Sequence, residues 1–449
     1  MIKAQSAILA FFMLTISPFH AAHAETPAAD VVTPVEQPQF DVRSNIEDQI
    51  NAYLASSGLG ARQRKGEIAI VKGFGQVQVK PESPDWVKYR MLAFDEALLN
   101  AKGDWIQQQN KSIVGDIVKR SFRAANKEPP AYQQSQLLEP GKLAELLEKV
   151  QAVGIGKLDE QLKEMGLDPT KYEHQPPAQK YVQMSKDLLK TSTSRSIGDL
   201  VGLVTVQTFE GHDAQGNYMI AAVAVVSPKM KEFAQEVLRL RGNFPSDPSR
   251  AQNLDRLISD KAALVNDFGI RWLYDENGLP VIVSFYQWGL DTTGTDQVMA
   301  NDDREFAIAQ ATEQADLQIA QFLSSTAMST TKGAIGKQSE KAVERAIDGY
   351  IADTGRTTTL MDGIDRVYEE RAKVDNLTGL QTLTTWGYKH PVSNKMVVGV
   401  IRIWSAAGEL ATRAIKDTVV RPAIAPEAAT TAGTAGTTKG RDLNKASDF

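Results

Sequence analysis

Two hydrophobic periods alternate along this chain, and the switches between them mark its elements. "EIAIVKGFGQVQV" (67–79) alternates apolar and polar residues with a period of two, the pattern of a half-buried strand. From Tyr89 the period lengthens to three and four. Alanines 93, 97 and 101 then fall on one helical face behind Arg90. "GLVTVQTFEG" and "YMIAAVAVV" return to the strand pattern across a short polar connection, "GHDAQGN", and read as a β-hairpin. A helix, "KMKEFAQEVLRL", follows.

The same succession occurs a second time. "VIVSFYQWGLD" is a strand pattern ending in aromatic-Gly, and "DREFAIAQATEQADLQIAQFL" carries Arg304 and alanines 307, 311 and 315. Phe74, Gly75, Arg90, the three alanines and Trp105 align without a gap on Trp288, Gly289, Arg304, their alanines and Ile319, at an offset of 214 residues. The hairpin repeats at an offset of 177. Gly202, Leu203, Thr205, Thr208 and Phe209 align on Gly379, Leu380, Thr382, Thr385 and Trp386, and Met219 and Val223 on Met396 and Val400. "AAGELATRAIKDTV" matches the closing helix. An ordered, gapless set of matches is the mark of an internal duplication.

The fold class expected is therefore α+β, in two repeated modules of strand, long Ala-rich helix, β-hairpin and helix. Each is a helix layer on a mostly antiparallel sheet. The offsets differ by 37 residues, so the first copy carries an insertion within 110–195. Part of it, "EPGKLAELLEKVQAVGIGKLDEQLKEMGLDP", reads as a helical hairpin with Leu143, Leu146, Leu147 and Val150 on one face. Alanine at four-residue spacing keeps helix propensity high and lets a helix approach its sheet closely, with Tyr89, Trp105 and Ile319 filling the ends of the face.

The expected organisation is a signal peptide over 1–24, a disordered segment over 25–42, and a first module over 43–243 with the helical insertion at about 125–190. A linker helix over 244–268 leads to a second module over 269–420 and a disordered tail over 421–449. Ser44 or Asn45 is the expected cap of a first helix that Gly58 or Gly60 ends. The second module opens on a hairpin turning at Asp275-Glu276-Asn277-Gly278.

The leader pattern sets the compartment. Lys3, an apolar run from about Ile8 to Ile16, Pro18, and Ala22-His23-Ala24 form a secretory signal with cleavage expected after Ala24. A periplasmic or secreted protein is expected. The apolar run is shorter than a spanning helix needs. There is no cysteine, which excludes disulfides, thiolate metal sites and a lipid-anchored cysteine after the leader. At 42 % hydrophobic residues the chain can stand on its core alone. Loss of Lys3 takes the net charge from −5 to −6, and no basic stripe is present, so neither nucleic acid nor an anionic membrane surface is an expected partner.

Catalytic patterns are weak. After the leader only His174, His212 and His390 remain, without neighbours at zinc-ligand spacing. His212-Asp213 stands at a hairpin tip, which favours exposure. "AVGIGKLDE" and "TKGAIGKQSE" fail as phosphate loops. Gln151 and Thr331 replace the first glycine, and Leu158 and Gln338 replace the hydroxyl. The "GFG" of 73–75 is a lone glycine pair. Asp302-Asp303 and Glu369-Glu370 read as helix starts or solvated faces. No catalytic, metal or cofactor residue is assigned, and no cofactor is expected.

A secreted chain with a strand, an R-x-x-A-x-x-x-A-x-x-x-A helix (Arg90, Ala93, Ala97, Ala101) and the hairpin "GLVTVQTFEG…YMIAAVAVVS", repeated from Arg304 onward, resembles the N-terminal domain of FlgT-type flagellar accessory proteins. It is also similar to the small outer-membrane lipoprotein family that includes FlgP. This chain departs from both in lacking the lipid-anchoring cysteine, in duplicating the unit and in its insertion. The resemblance implies a non-enzymatic envelope protein that docks with other proteins. The expected function is an exported structural or interaction protein of the cell envelope, with other envelope proteins or copies of itself as partners. The alternatives are a small-ligand-binding protein with its site between the modules, or a hydrolase whose carboxylates meet only in three dimensions.

Overall fold

The computed structural model describes residues 41–153, 156–290, 297–324, 337–352 and 378–417. The expected signal peptide over 1–24, residues 25–40 of the expected disordered segment, residues 331–336 of "TKGAIGKQSE", Glu369-Glu370 and the expected 421–449 tail lie outside them. The protein is α+β, with helices packed on two antiparallel sheets.

The first sheet has the order β1-β3-β2, from β1 (Ala69–Val77), β2 (Val204–His212) and β3 (Tyr218–Val226). Its two faces are covered differently. α1 (Val42–Ser56) lays Val42, Ile46 and Ile50 against Ala221 and Val223. The Asp41 carboxylate caps α1 by accepting from the Arg43 amide, so the cap lies three residues before the expected Ser44 and four before Asn45. Gly58, at φ 76°, ends that helix, while Gly60 falls inside the short α2 (Leu59–Arg64). The opposite face of the sheet takes α3 (Trp86–Ala124), whose alanines 93, 97 and 101 are buried.

The close approach of α3 explains both small residue types. A Cβ on Gly73 would lie 2.0 Å from the Ala97 carbonyl oxygen, and one on Gly75 would lie 1.9 Å from that of Ala93. Strand glycine and helix alanine are two halves of one contact, and the "GFG" that looked uninformative is its strand half. α3 also satisfies the free edge of β1. Asn100 Nδ2 donates to the Phe74 carbonyl (2.8 Å), and the Gln76 amide donates to Glu96 (3.2 Å).

The insertion contributes α4 (Pro140–Val153), α5 (Lys157–Glu164) and α6 (Pro177–Gly198). Leu143, Leu146, Leu147 and Val150 are buried as their spacing requires. α6 is fixed to the second half of α3 by a buried chain in which Asn110 Nδ2 donates to Thr193 Oγ1 (2.8 Å) and Ser196 donates to Asn110 Oδ1 (2.9 Å). β3 is followed by α7 (Pro228–Leu240), capped by Ser227, then by 3-10 turns at Pro248–Arg250 and Leu254–Leu257 and the single-turn α8 (Lys261–Leu264) in place of one linker helix.

The second sheet has the order β4-β5-β7-β6, from β4 (Gly269–Tyr274), β5 (Pro280–Gly289), β6 (Leu380–Lys389) and β7 (Met396–Ser405). β4 and β5 turn at Asp275–Gly278, with Gly278 at φ 70°. α9 (Gln297–Ser324) is the second alanine helix, α10 (Lys337–Ala352) joins the core around α3 through Ile347 and Tyr350, and α11 (Ala406–Asp417) follows β7. α9 begins at Gln297, so Asp302-Asp303 stand in its second turn rather than opening it. No helix among the described residues is long and apolar enough to cross a membrane.

Strand registers test the duplication directly. In the first sheet Gly75 faces Ile220. Adding 214 and 177 gives Gly289 facing Val397, the pair that the second sheet contains. The bulged residues, Val206 and Leu383, are also 177 apart. Across the second hairpin, however, the pairing slips by one. Thr205 faces Ala224, whereas Thr382 faces Arg402 and not Ile401. The slip follows from the connections, which are 213–217 in the first hairpin and 390–395, one residue longer, in the second.

The helices differ more than the strands. Gly289, the counterpart of Gly75, presses on Val87 of α3 and not on α9. α9 covers the alternate residues of its sheet. Ser284 donates to Gln318 (2.9 Å), and Arg402 makes a bidentate pair with Asp316 (2.7 and 2.9 Å). Strand for strand the copies match, but their alanine helices lie over opposite sets of strand residues.

Candidate functional site: a buried polar junction between the modules

Strand polarity locates the site. Glu210 in β2 faces inward opposite buried Ile220 of β3, and Gln287 lies in β5, a strand buried along almost its whole length. Buried polar groups at such positions need partners. Both meet Arg90, one turn into α3 and fully buried. Its Nε donates to Glu210 Oε2 (2.9 Å) and its Nη2 to Oε1, a bidentate pair. Nη2 also donates to the Val265 carbonyl (2.6 Å), and Nη1 to Gln287 Oε1 (2.9 Å). The Tyr218 hydroxyl donates to Glu210 as well. Gln287 Nε2 in turn reaches the carbonyls of Leu264 (3.0 Å), Val265 (2.9 Å) and Asp267 (3.1 Å).

Residues 264–268 are thus gripped from three elements. Thr208 of β2 adds a bond to the Asn266 carbonyl (2.6 Å). Phe268 stacks on Phe94 of α3 (4.8 Å between centroids) and lies under the Arg90 guanidinium (4.7 Å). One apolar core surrounds the junction, with Ala93, Phe94 and Ile220 from the first module and Val283, Ala311 and Trp386 from the second.

Electrostatics favour the Arg90 cation. Burial disfavours the Arg90 cation, but the adjacent Glu210 carboxylate outweighs it and raises the Arg90 pKa. The Tyr218 phenol is pushed far up, by burial first and Glu210 second, and stays a donor. Glu210 accepts three hydrogen bonds and Arg90 donates four, so the charged atoms are spent on one another. Such an arrangement positions elements.

The histidines part company. His174 and His212 are exposed, as loop and tip positions favour. Asp213 closes its own turn through Gln215 and Asn217 and does not pair with His212. His390, at the tip of the second hairpin, is buried instead. Its ring sits 4.6 Å from that of Trp86 and 6.1 Å from that of Tyr218, beside the Arg90 junction. Arg304, the counterpart of Arg90, is exposed near Gly387, because α9 lies over the other set of strand residues. Gly156 and Lys157 of "AVGIGKLDE" stand at the start of α5. No group of three or more His, Cys, Asp or Glu among the described residues is placed to hold a metal ion. Arg90 stands out in the sequence ahead of its alanine face. Glu210 and Gln287 do not, and their signal is a polar residue at an inward strand position.

Two grooves run along α3, one near the junction and one far from it. One of about 180 Å³ runs between α3 and α9, lined by Asp95, Lys102, Tyr286, Gln314 and Gln318 among others. Tyr286 donates to Asp95 there (2.8 Å). The other, about 590 Å³, follows the second half of α3 past Lys111, Gly115, Lys119 and Tyr132.

Comparisons with known proteins add little to this geometry. A family model described as a domain of unknown function (DUF6844) matches residues 143–239, from α4 into α7. No curated protein matches the chain. A crystal structure of a hypothetical protein from Francisella tularensis is similar at 20 % identity and a TM-score of 0.46, over 83 % of this chain and 93 % of that one.

Proposed function

We propose that this chain is a non-enzymatic, exported interaction protein of the cell envelope, whose two modules form one rigid block that docks with protein partners. The observation that carries this reading is a repeated exposed position. Leu92 and Phe306 stand two residues after Arg90 and Arg304, 214 residues apart, and are 57 % and 56 % exposed. Single exposed apolar residues are ordinary, but large ones at equivalent places in both copies suggest contact surface. Met299, one heptad before Phe306 on the same face of α9, is 61 % exposed and extends the second patch. The leader and the likeness to FlgT-type and FlgP-like proteins support an envelope setting, with a flagellar assembly as the narrower version.

Crosslinking and pull-down of the tagged mature chain from intact envelopes tests this. The wild-type chain is expected to capture stable partners, and the Leu92→Asp/Phe306→Asp variant to lose them at an unchanged melting temperature. Recovery of the mature chain in the cytoplasm, or capture unaffected by the double variant, overturns it. The α3–α9 groove supports the second reading, a ligand site between the modules. Its volume suits a few-atom polar ligand and lies below the ~300–1,000 Å³ usual for larger ones.

A further inference from the structure

The second hairpin docks on the first module through a histidine with no room for a charge. His390 is 1 % exposed. Its ring rests on Trp86 of α3 and against Tyr218 of β3, and His212 stacks on Tyr218 in turn (5.9 Å, 8° between planes). His390 Nδ1 accepts the Val392 amide (3.2 Å), which makes the neutral ring the form that fits. The loop closes on itself, with the His390 amide on the Lys395 carbonyl (2.8 Å) and the Asn394 amide on the His390 carbonyl (2.9 Å).

The groups around the ring offer no home for a proton. α3 presents the Arg90 cation. β2 presents His212 and Glu210, whose carboxylate already holds Arg90 and the Tyr218 hydroxyl of β3. The hairpin itself adds the amines of Lys389 and Lys395.

We infer that the β6–β7 hairpin is an acid-released latch, held on the first module by neutral His390 and freed when that ring takes a proton. Release uncovers Trp86 and Tyr218, an aromatic surface that is sealed at neutral pH. The inference rests on the junction alone and stands whether or not the chain is exported.

The sign follows from linkage. Burial first, then Arg90 and His212, lower the His390 pKa from 6.5 to about 3. The closed state thus binds the proton more weakly than the open one. Its stability is full above pH 6.5 and falls as the pH drops towards 3, so the opening constant rises about tenfold per pH unit in that window.

Hydrogen exchange on the full chain between pH 7 and 3.5 tests this, corrected for the intrinsic pH dependence of exchange. The Val392 and Asn394 amides report the latch, and Ala222–Val225 of β3 report the core. In the wild-type chain latch protection is expected to fall about tenfold per pH unit below 6 while β3 stays protected. His390→Phe, which keeps a ring on Trp86 but cannot ionise, should hold the latch closed throughout, and His212→Gln, which removes only the smallest cause of the shift, should keep a pH-dependent latch. His390→Gln serves if the phenylalanine variant does not fold, with a pH-independent latch expected. Equal pH dependence in the non-ionising variant, simultaneous loss of latch and core, or a wild-type latch still closed at pH 3.5 each overturn the inference.

Discussion

Arg90 and Glu210 show how much a single buried pair controls. Removing one charge leaves the other buried with incomplete partners, which costs about 3–5 kcal/mol. Arg90→Met should lower stability by that amount in chemical denaturation, and adding Glu210→Gln should recover part of it. Full additivity of the two changes would show that they act separately. The glycines separate the copies. Gly75→Ala places a Cβ 1.9 Å from a helix carbonyl and should cost about 3 kcal/mol, because backbone must move. Gly289→Ala meets the Val87 side chain at 3.0 Å and should cost only about 1 kcal/mol. Equal losses would mean that α3 and α9 seat alike.

At the scale of elements, the alanine helices illustrate what a repeat fixes. Ala97 is fully buried against Gly73, so Ala97→Leu should destabilise the protein by about 1–3 kcal/mol through overpacking. Thermal melting checks this, and an unchanged melting temperature would mean that the face is not a packed one. Helix existence, the alanine face and the repeated order of strand, helix and hairpin were legible in the sequence. The side of the second sheet that α9 covers was not. A strand buried on both faces, as β5 is, carries apolar residues at both parities, so periodicity cannot choose between them. The slipped hairpin escaped for a similar reason. Loop strings of equal length hide where pairing ends.

At the scale of the molecule, the modules share a core, and the segment between them ends in the Arg90 junction. The described residues from Asp41 onward form one compact unit. A fragment starting at residue 244 would leave Gln287 and the Val265 carbonyl without their Arg90 donor. It should fail to fold cooperatively, and the full chain should unfold in one calorimetric transition. Two separable transitions would show that the modules are independent domains.

The sequence by itself determined the class, the repeat, the alanine faces and most of the elements, because these depend on local period and on matches along one chain. Tertiary structure alone decided that Arg90 is buried and Arg304 exposed, and that His390 is sealed while His212 is open. Arg90 and Arg304, identical residues at repeated positions, acquire different environments from what packs over them. Burial is a property of neighbours distant in sequence, and one chain read alone does not name those neighbours.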